Sequence, residues 1–167
     1  MIRYTDPHPA RPEAVESVER ALGVSIPEGF RAHLVTVSNG GYIVPASVRG
    51  FDSIGVEGVV GVARSDDLDM GGIARAYTEL ADVGLLPVAH CTGGTVLAAD
   101  LENGSIWFYE PEYEVDDPDA LTRVANDWDS LLTQTFDQPP LTIKPEFAGP
   151  VWVNPEFLRK IQSGEIK

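Results

Sequence analysis

Between Ile26 and Gly41 the chain reads IPEGFRAHLVTVSNGG, and Phe30, Leu34 and Val37 recur at i, i+4 and i+7. That spacing places one apolar stripe on one face of a helix. Pro27 suits the first helical position, where its missing N–H is not needed. Asn39-Gly40-Gly41 offers the glycines that a left-handed helix C-cap takes without a Cβ penalty. An earlier stripe, Val15, Val18 and Leu22, opens at Pro12 and ends before Gly23. Its acidic Glu13 and Glu16 come early and its Arg20 late, an order that complements the helix dipole. The chain is therefore expected to begin as a helical hairpin.

After Gly41 the pattern becomes that of strands. Tyr42–Pro45 and Val48–Phe51 read as short strands, and Gly55–Val62 is apolar and glycine-spaced with no clear period. Asp66 to Gly72 is a polar turn, and Ile73, Ala76, Tyr77 and Leu80 then suggest a short helix. Leu85–His90, Thr95–Leu101 and Ser105–Glu110 follow as three strands, joined by short glycine-bearing segments of the kind that make hairpins. They predict an antiparallel meander. Beyond it, Asp117 before Pro118 reads as an N-cap. Leu121, Val124, Ala125, Trp128, Leu131, Leu132 and Phe136 fall on one face, so a helix is expected from Asp117 to Phe136. Asp137 to Val153 holds four prolines and reads as a connector, and Asn154-Pro155-Glu156 opens a final short helix.

Charge changes this picture. The 167 residues carry 26 Asp and Glu against 12 Lys and Arg, a formal charge of −14. Nucleic-acid binding needs cations that displace phosphate counterions, so that class is disfavoured, as are anionic membrane surfaces. From Ser65 to Asp129 there are fifteen acidic residues and two basic ones, Arg75 and Arg123, whereas Asp137–Lys167 has four of each sign. The acidity belongs to the middle of the chain. A single cysteine, Cys91, fits a reducing compartment, and the N-terminus has no apolar signal region. No apolar run reaches the ~20 residues of a membrane span. A cytoplasmic protein is expected.

Candidate chemistry is thin. His33 lies beside the Phe30/Leu34 stripe and reads as a partly exposed helical side chain. His90 and Cys91 are adjacent, but on a strand successive side chains point to opposite faces and cannot pair. Asp67-Leu68-Asp69-Met70-Gly71-Gly72 lacks a calcium ligand at its fifth position and has Thr78 at the twelfth. No phosphate loop, CxxC, HExxH or GxSxG is present. No catalytic residue, metal site or cofactor is expected. What remains is Glu110 to Asp119, EPEYEVDDPD, with six carboxylates and no base. It reads either as a solvated acidic loop whose Asp117 and Asp119 favour a helix N-terminus, or as a surface for a basic partner. Divalent metal binding is the third option, disfavoured by alternation along a strand.

The order of motifs resembles the SUKH superfamily, the Smi/Knr-type domain of bacterial toxin-immunity proteins and a yeast cell-wall regulator. The first signature is carried by Leu22-Gly23, Ile26-Pro27, Phe30, Leu34 and Asn39-Gly40-Gly41. The second is carried by Leu86-Pro87-Val88-Ala89, Gly93-Gly94, Asp100, Gly104 and Ile106–Tyr109, and Trp128 with Leu131-Leu132 looks like the closing helix. Thr95 departs from a position that is often Asn or Asp. The resemblance covers about Glu13 to Phe136 and implies an α+β fold. In that fold a central, mostly antiparallel sheet is packed by an N-terminal helical hairpin and a closing helix. Residues 1–136 would form the domain, with 137–167 an extension packed on it. Pro27, Phe30, Leu34, Asn39, Gly40, Gly41, Pro87, Gly94 and Asp100 would be fold-determining. The resemblance implies a binding protein rather than an enzyme. With the acidic middle of the chain, it points to an immunity protein that neutralises a toxin, a cationic nuclease-like domain, with a regulatory or scaffolding module as the alternative. Asp66, Asp67, Asp69, Glu110, Glu112, Glu114 and Asp116 are the candidate partner-binding residues.

Overall fold

A computed structural model describes residues 2–137 of the chain. The first helix, α1 (Pro12–Leu22), falls where its stripe placed it, and Gly23 closes it in the left-handed conformation with its N–H on Glu19 O. Helix α2 (Glu28–Thr36) begins one residue after Pro27 and buries Phe30, His33 and Leu34. Val37 was expected on that stripe. It stands 48% exposed instead, because the helix ends at Thr36 and the chain turns before Val37 can face the core.

The remaining elements are β1 (Gly41–Val48), β2 (Phe51–Val59), α3 (Met70–Ala76), α4 (Thr78–Asp82), β3 (Leu85–Cys91), β4 (Val96–Asp100), β5 (Ile106–Tyr109), β6 (Leu121–Ala125), α5 (Trp128–Gln134) and β7 (Thr135–Asp137). The strands form one seven-stranded sheet in the order β6-β5-β4-β3-β2-β1-β7, and every pairing is antiparallel. The expected meander is the β3-β4-β5 centre of this α+β sheet. The stretches Tyr42–Pro45 and Val48–Phe51 are not two strands: they belong to β1 and β2, which meet at the Arg49-Gly50 turn.

The helix expected from Asp117 to Phe136 is a loop, the strand β6, the seven-residue α5 and the strand β7. Its apolar positions mimic a helical stripe because β6 is bulged. Ile106 pairs with Ala125 and Trp107 with Arg123, so Val124 is an extra residue and both Val124 and Ala125 enter the same core. The N-cap is Asp127, whose carboxylate accepts the Ser130 N–H at 2.7 Å. Asp117 forms a turn instead, accepting the Asp119 N–H.

Alternation along β4 separates two cores. Leu97 and Ala99 join the larger one with Val15, Phe30, Leu34, Trp128 and Leu131, and Val96 and Ala98 join a smaller one with Leu80, Tyr109 and Ala120. Pro87 is tolerated in the central strand β3 because a bulge follows it. Asp100 closes β4 by accepting the N–H groups of Glu102 and Asn103 in the turn to β5. The outer edge of β1 is covered twice. Residues 3–5 pair with Tyr42–Val44, through Thr5 N–H to Tyr42 O and Val44 N–H to Arg3 O, and β7 pairs with Ala46–Val48.

Candidate functional site

Asn39-Gly40-Gly41 does not cap α2, whose last turn closes at Val37. The motif is instead a joint between α2 and the segment after β2. The Asn39 carboxamide donates to Val62 O and accepts the Val62 N–H, both at 2.8 Å, as a neighbouring strand would. The backbones approach so closely that a Cβ on Gly40 would lie 2.4 Å from Val59 O, and one on Gly61 2.0 Å from Asn39 O. Gly40 also has φ +65°, which disfavours any other residue.

The first acidic group is built on this joint. Arg64 donates from Nη1 to Asn39 O at 2.8 Å and from Nε to Asp66 Oδ1 at 2.7 Å, and its Nη2 meets Asp66 Oδ2. The hydrogen bond from Arg64 holds the Asp66 carboxyl below its ordinary pKa and, reciprocally, raises that of the guanidinium. Asp69 caps α3, accepting the N–H groups of Arg64 and Gly72 at 2.9 and 3.0 Å. Asp67 accepts the Tyr42 hydroxyl on both oxygens, which pushes the phenol pKa up. Each of the three aspartates thus has a structural partner within the chain.

The second group is different. The connection from β5 to β6 is a series of turns, with backbone N–H groups of Tyr113, Asp117 and Ala120 on the carbonyls of Glu110, Glu114 and Asp117. Glu112, Glu114 and Asp116 are exposed, and among the described residues no cation forms an ion pair with any of them. Glu110 is half-buried at the end of β5. Glu79, Tyr109, Pro111, Glu112, Tyr113, Glu114 and Val115 line a groove of about 320 Å³. The Tyr109 hydroxyl donates to Glu79 Oε1 at 3.0 Å, and burial, aided by that bond, pushes its pKa up to about 12. Tyr113 stands 43% exposed on the groove wall.

The two groups lie at opposite ends of the sheet. The first follows the C-terminal end of β2, whose Val59 pairs with Ala89 in β3, beside Val60 on Val88. The second follows Tyr109, which pairs with Val96 at the end where β3 runs out into the Thr92–Gly94 turn. The seven sequence-predicted carboxylates therefore fall into two groups, and no hydrogen bond or ion pair joins them among the described residues.

His90 and Cys91 face opposite ways. Cys91 is fully buried in the larger core, where desolvation pushes its thiol up to about 12, while His90 pairs with Val96 on the other face. No thiolate–imidazole pair forms. His33, expected to be partly exposed, is 6% exposed, its Nε2 bonded to the Tyr4 hydroxyl and its ring edge-on to Trp128 at 5.2 Å. Burial lowers its pKa to about 4, against a partial opposing pull from Asp129. No local pattern signals this contact, because Tyr4 and Trp128 are far from His33 along the chain. Among the described residues no group of three or more His, Cys, Asp and Glu is placed to hold a metal, and no helix is long and apolar enough to cross a membrane.

Comparison with curated proteins finds no match. A family profile, by contrast, matches residues 9–134 and covers both signature segments, the sheet from β1 to β6 and all of α5. The chain belongs to the SMI1/KNR4 family (SUKH-1).

Proposed function

We propose that this chain is a cytoplasmic, immunity-type protein that binds and neutralises a cognate toxin domain, a cationic one of nuclease type, with the 110–119 loop at the centre of its contact surface. Family membership supports the immunity-type reading. The observation that carries the partner's charge is the set of exposed carboxylates at Glu112, Glu114 and Asp116, which have no ion-pair partner among the described residues, beside a groove walled by tyrosines.

A loop carrying like charges without compensating cations costs folding energy through repulsion, and a basic partner relieves that cost. The same field accelerates encounter with a cationic surface, which sets on-rate and specificity more than final affinity. The groove suits the stem and head of an arginine, since a guanidinium stacks on aromatic faces while its N–H groups reach carboxylates. Asp66, Asp67 and Asp69 contribute long-range field from the other end of the sheet.

Co-purification with the products of neighbouring genes, followed by a growth-rescue assay, identifies the toxin. With that partner in hand, the triple variant Glu112→Lys, Glu114→Lys, Asp116→Lys slows association at least tenfold and flattens its salt dependence. Unchanged kinetics in stopped-flow mixing would remove the loop from the interface. A partner with no toxicity on expression would favour a regulatory module instead.

A further inference from the structure

A second concavity, of about 180 Å³, is almost entirely apolar. It opens between the end of α1, the α3–α4 pair and the start of β3, and is walled by Leu22, Val24, Tyr77, Ala81, Leu85 and Leu101, with Arg75 the one charged residue in its lining. Its size suits an aromatic side chain, since an apolar cavity of about 150 Å³ already accepts benzene. Val83, between the lining residues Ala81 and Leu85 in the chain, is 45% exposed.

We infer that this cleft is the docking site for the C-terminal segment of the same chain, with Trp152 as the residue that fills it. Three facts select that occupant. The first is reach. The described chain ends at Asp137 in β7, fifteen residues before Trp152. Fifteen residues span up to about 50 Å when extended, whereas a domain of this length has a radius of gyration of about 14 Å.

Composition is the second. Within 138–167 the sequence GPVWVNP sets Trp152 between two valines, and Phe157, Leu158 and Ile161 follow at helical spacing.

Charge is the third. Residues 1–137 hold 23 acidic and 8 basic residues, a net of −15, while 138–167 hold 3 acidic and 4 basic, a net of +1, and all three lysines of the chain are in this segment. The segment is thus drawn to its own domain. Two whole chains, each at −14, repel one another. Covalent attachment adds an effective concentration in the millimolar range.

Amide hydrogen exchange on the full-length chain tests this. The N–H groups of Val151, Trp152 and Val153 are expected to exchange at least tenfold more slowly than in the Trp152→Ala chain. Ala81→Trp, which fills the cleft from its exposed rim, should abolish that protection to the same extent. The sheet amides of β3 and β4 serve as the folding control in both variants and should keep their protection. Unprotected exchange at 151–153 in the unmodified chain overturns the proposal. So does protection that survives Ala81→Trp, which would place the segment elsewhere. Protection that rises with protein concentration would assign the cleft to a second copy and overturn it equally.

Discussion

The chain has two acidic groups, and they differ in what their carboxylates are committed to. Asp66, Asp67 and Asp69 are engaged by Arg64, Tyr42 and the first turn of α3. Glu112, Glu114 and Asp116 stand exposed on a loop whose turns are closed by backbone hydrogen bonds and the Asp117 carboxylate, not by their own side chains. Composition cannot tell the two apart, because both read as short acidic clusters. Counting hydrogen-bond partners does, since a carboxylate already bonded within the fold stabilises the domain and has less to offer a second molecule. The first group belongs to the architecture of the Asn39 joint, and the second is available for recognition.

The contrast can be broken most forcefully at the joint. Asn39→Ala removes both bonds to Val62 and leaves a backbone N–H and C=O unpaired, so we expect a loss of about 3 kcal/mol, measured by urea unfolding. If Asn39→Ala unfolds within 1 kcal/mol of the parent (about the error of such a comparison), the joint is not the anchor of the first group.

A titration separates the fold's internal stability from both acidic groups. His33 has a folded pKa of about 4 against an ordinary 6.5, so between those values the unfolded chain binds the proton that the folded chain refuses. Stability therefore falls as pH drops through that window, by up to about 3 kcal/mol. His33→Gln should lose this component, and the difference between parent and variant over pH 6.5–5 is the quantity to measure. A difference independent of pH there would mean that His33 is not held neutral.

The triple reversal at 112, 114 and 116, tenfold in association rate, should move stability by no more than about 0.5 kcal/mol. A large stability loss would show that the second group is architectural after all. A comparably small effect is expected at Asp66→Asn, about 0.5 kcal/mol or less in urea unfolding and none on association rate, because the pair with Arg64 is partly solvated and Arg64 keeps its bond to Asn39 O.

Much of the fold was legible because its signals are local. Pro12, Gly23 and the Val15 stripe place α1, and the glycine turns place the β3-β4-β5 meander. The Asn39-Gly40-Gly41 motif was visible as a helix stop, but its bonds to Val62 join residues 23 apart and have no local trace. The stretch from Asp117 to Phe136 misled for a definable reason. A one-residue bulge at Val124 breaks the alternation of β6, and the broken pattern matches a 3.6-residue period. The acidic clusters are visible in the sequence as residue types, but their division into engaged and open sets depends on Arg64 and Tyr42, which sequence spacing does not connect to them. The final helix expected from Asn154 lies outside the described residues.

The shared edge of β1 has a consequence for how the protein is made. Residues 3–5, which leave the ribosome well before β7, cover one half of that edge, and Thr135–Asp137 cover the other. While synthesis is under way, Ala46–Val48 can only wait, an open template for any strand nearby. That part of β1 is covered only after residue 137 emerges, so a chain stopped short of β7 would carry nearly all of the fold and still present an unpaired length of strand to its neighbours.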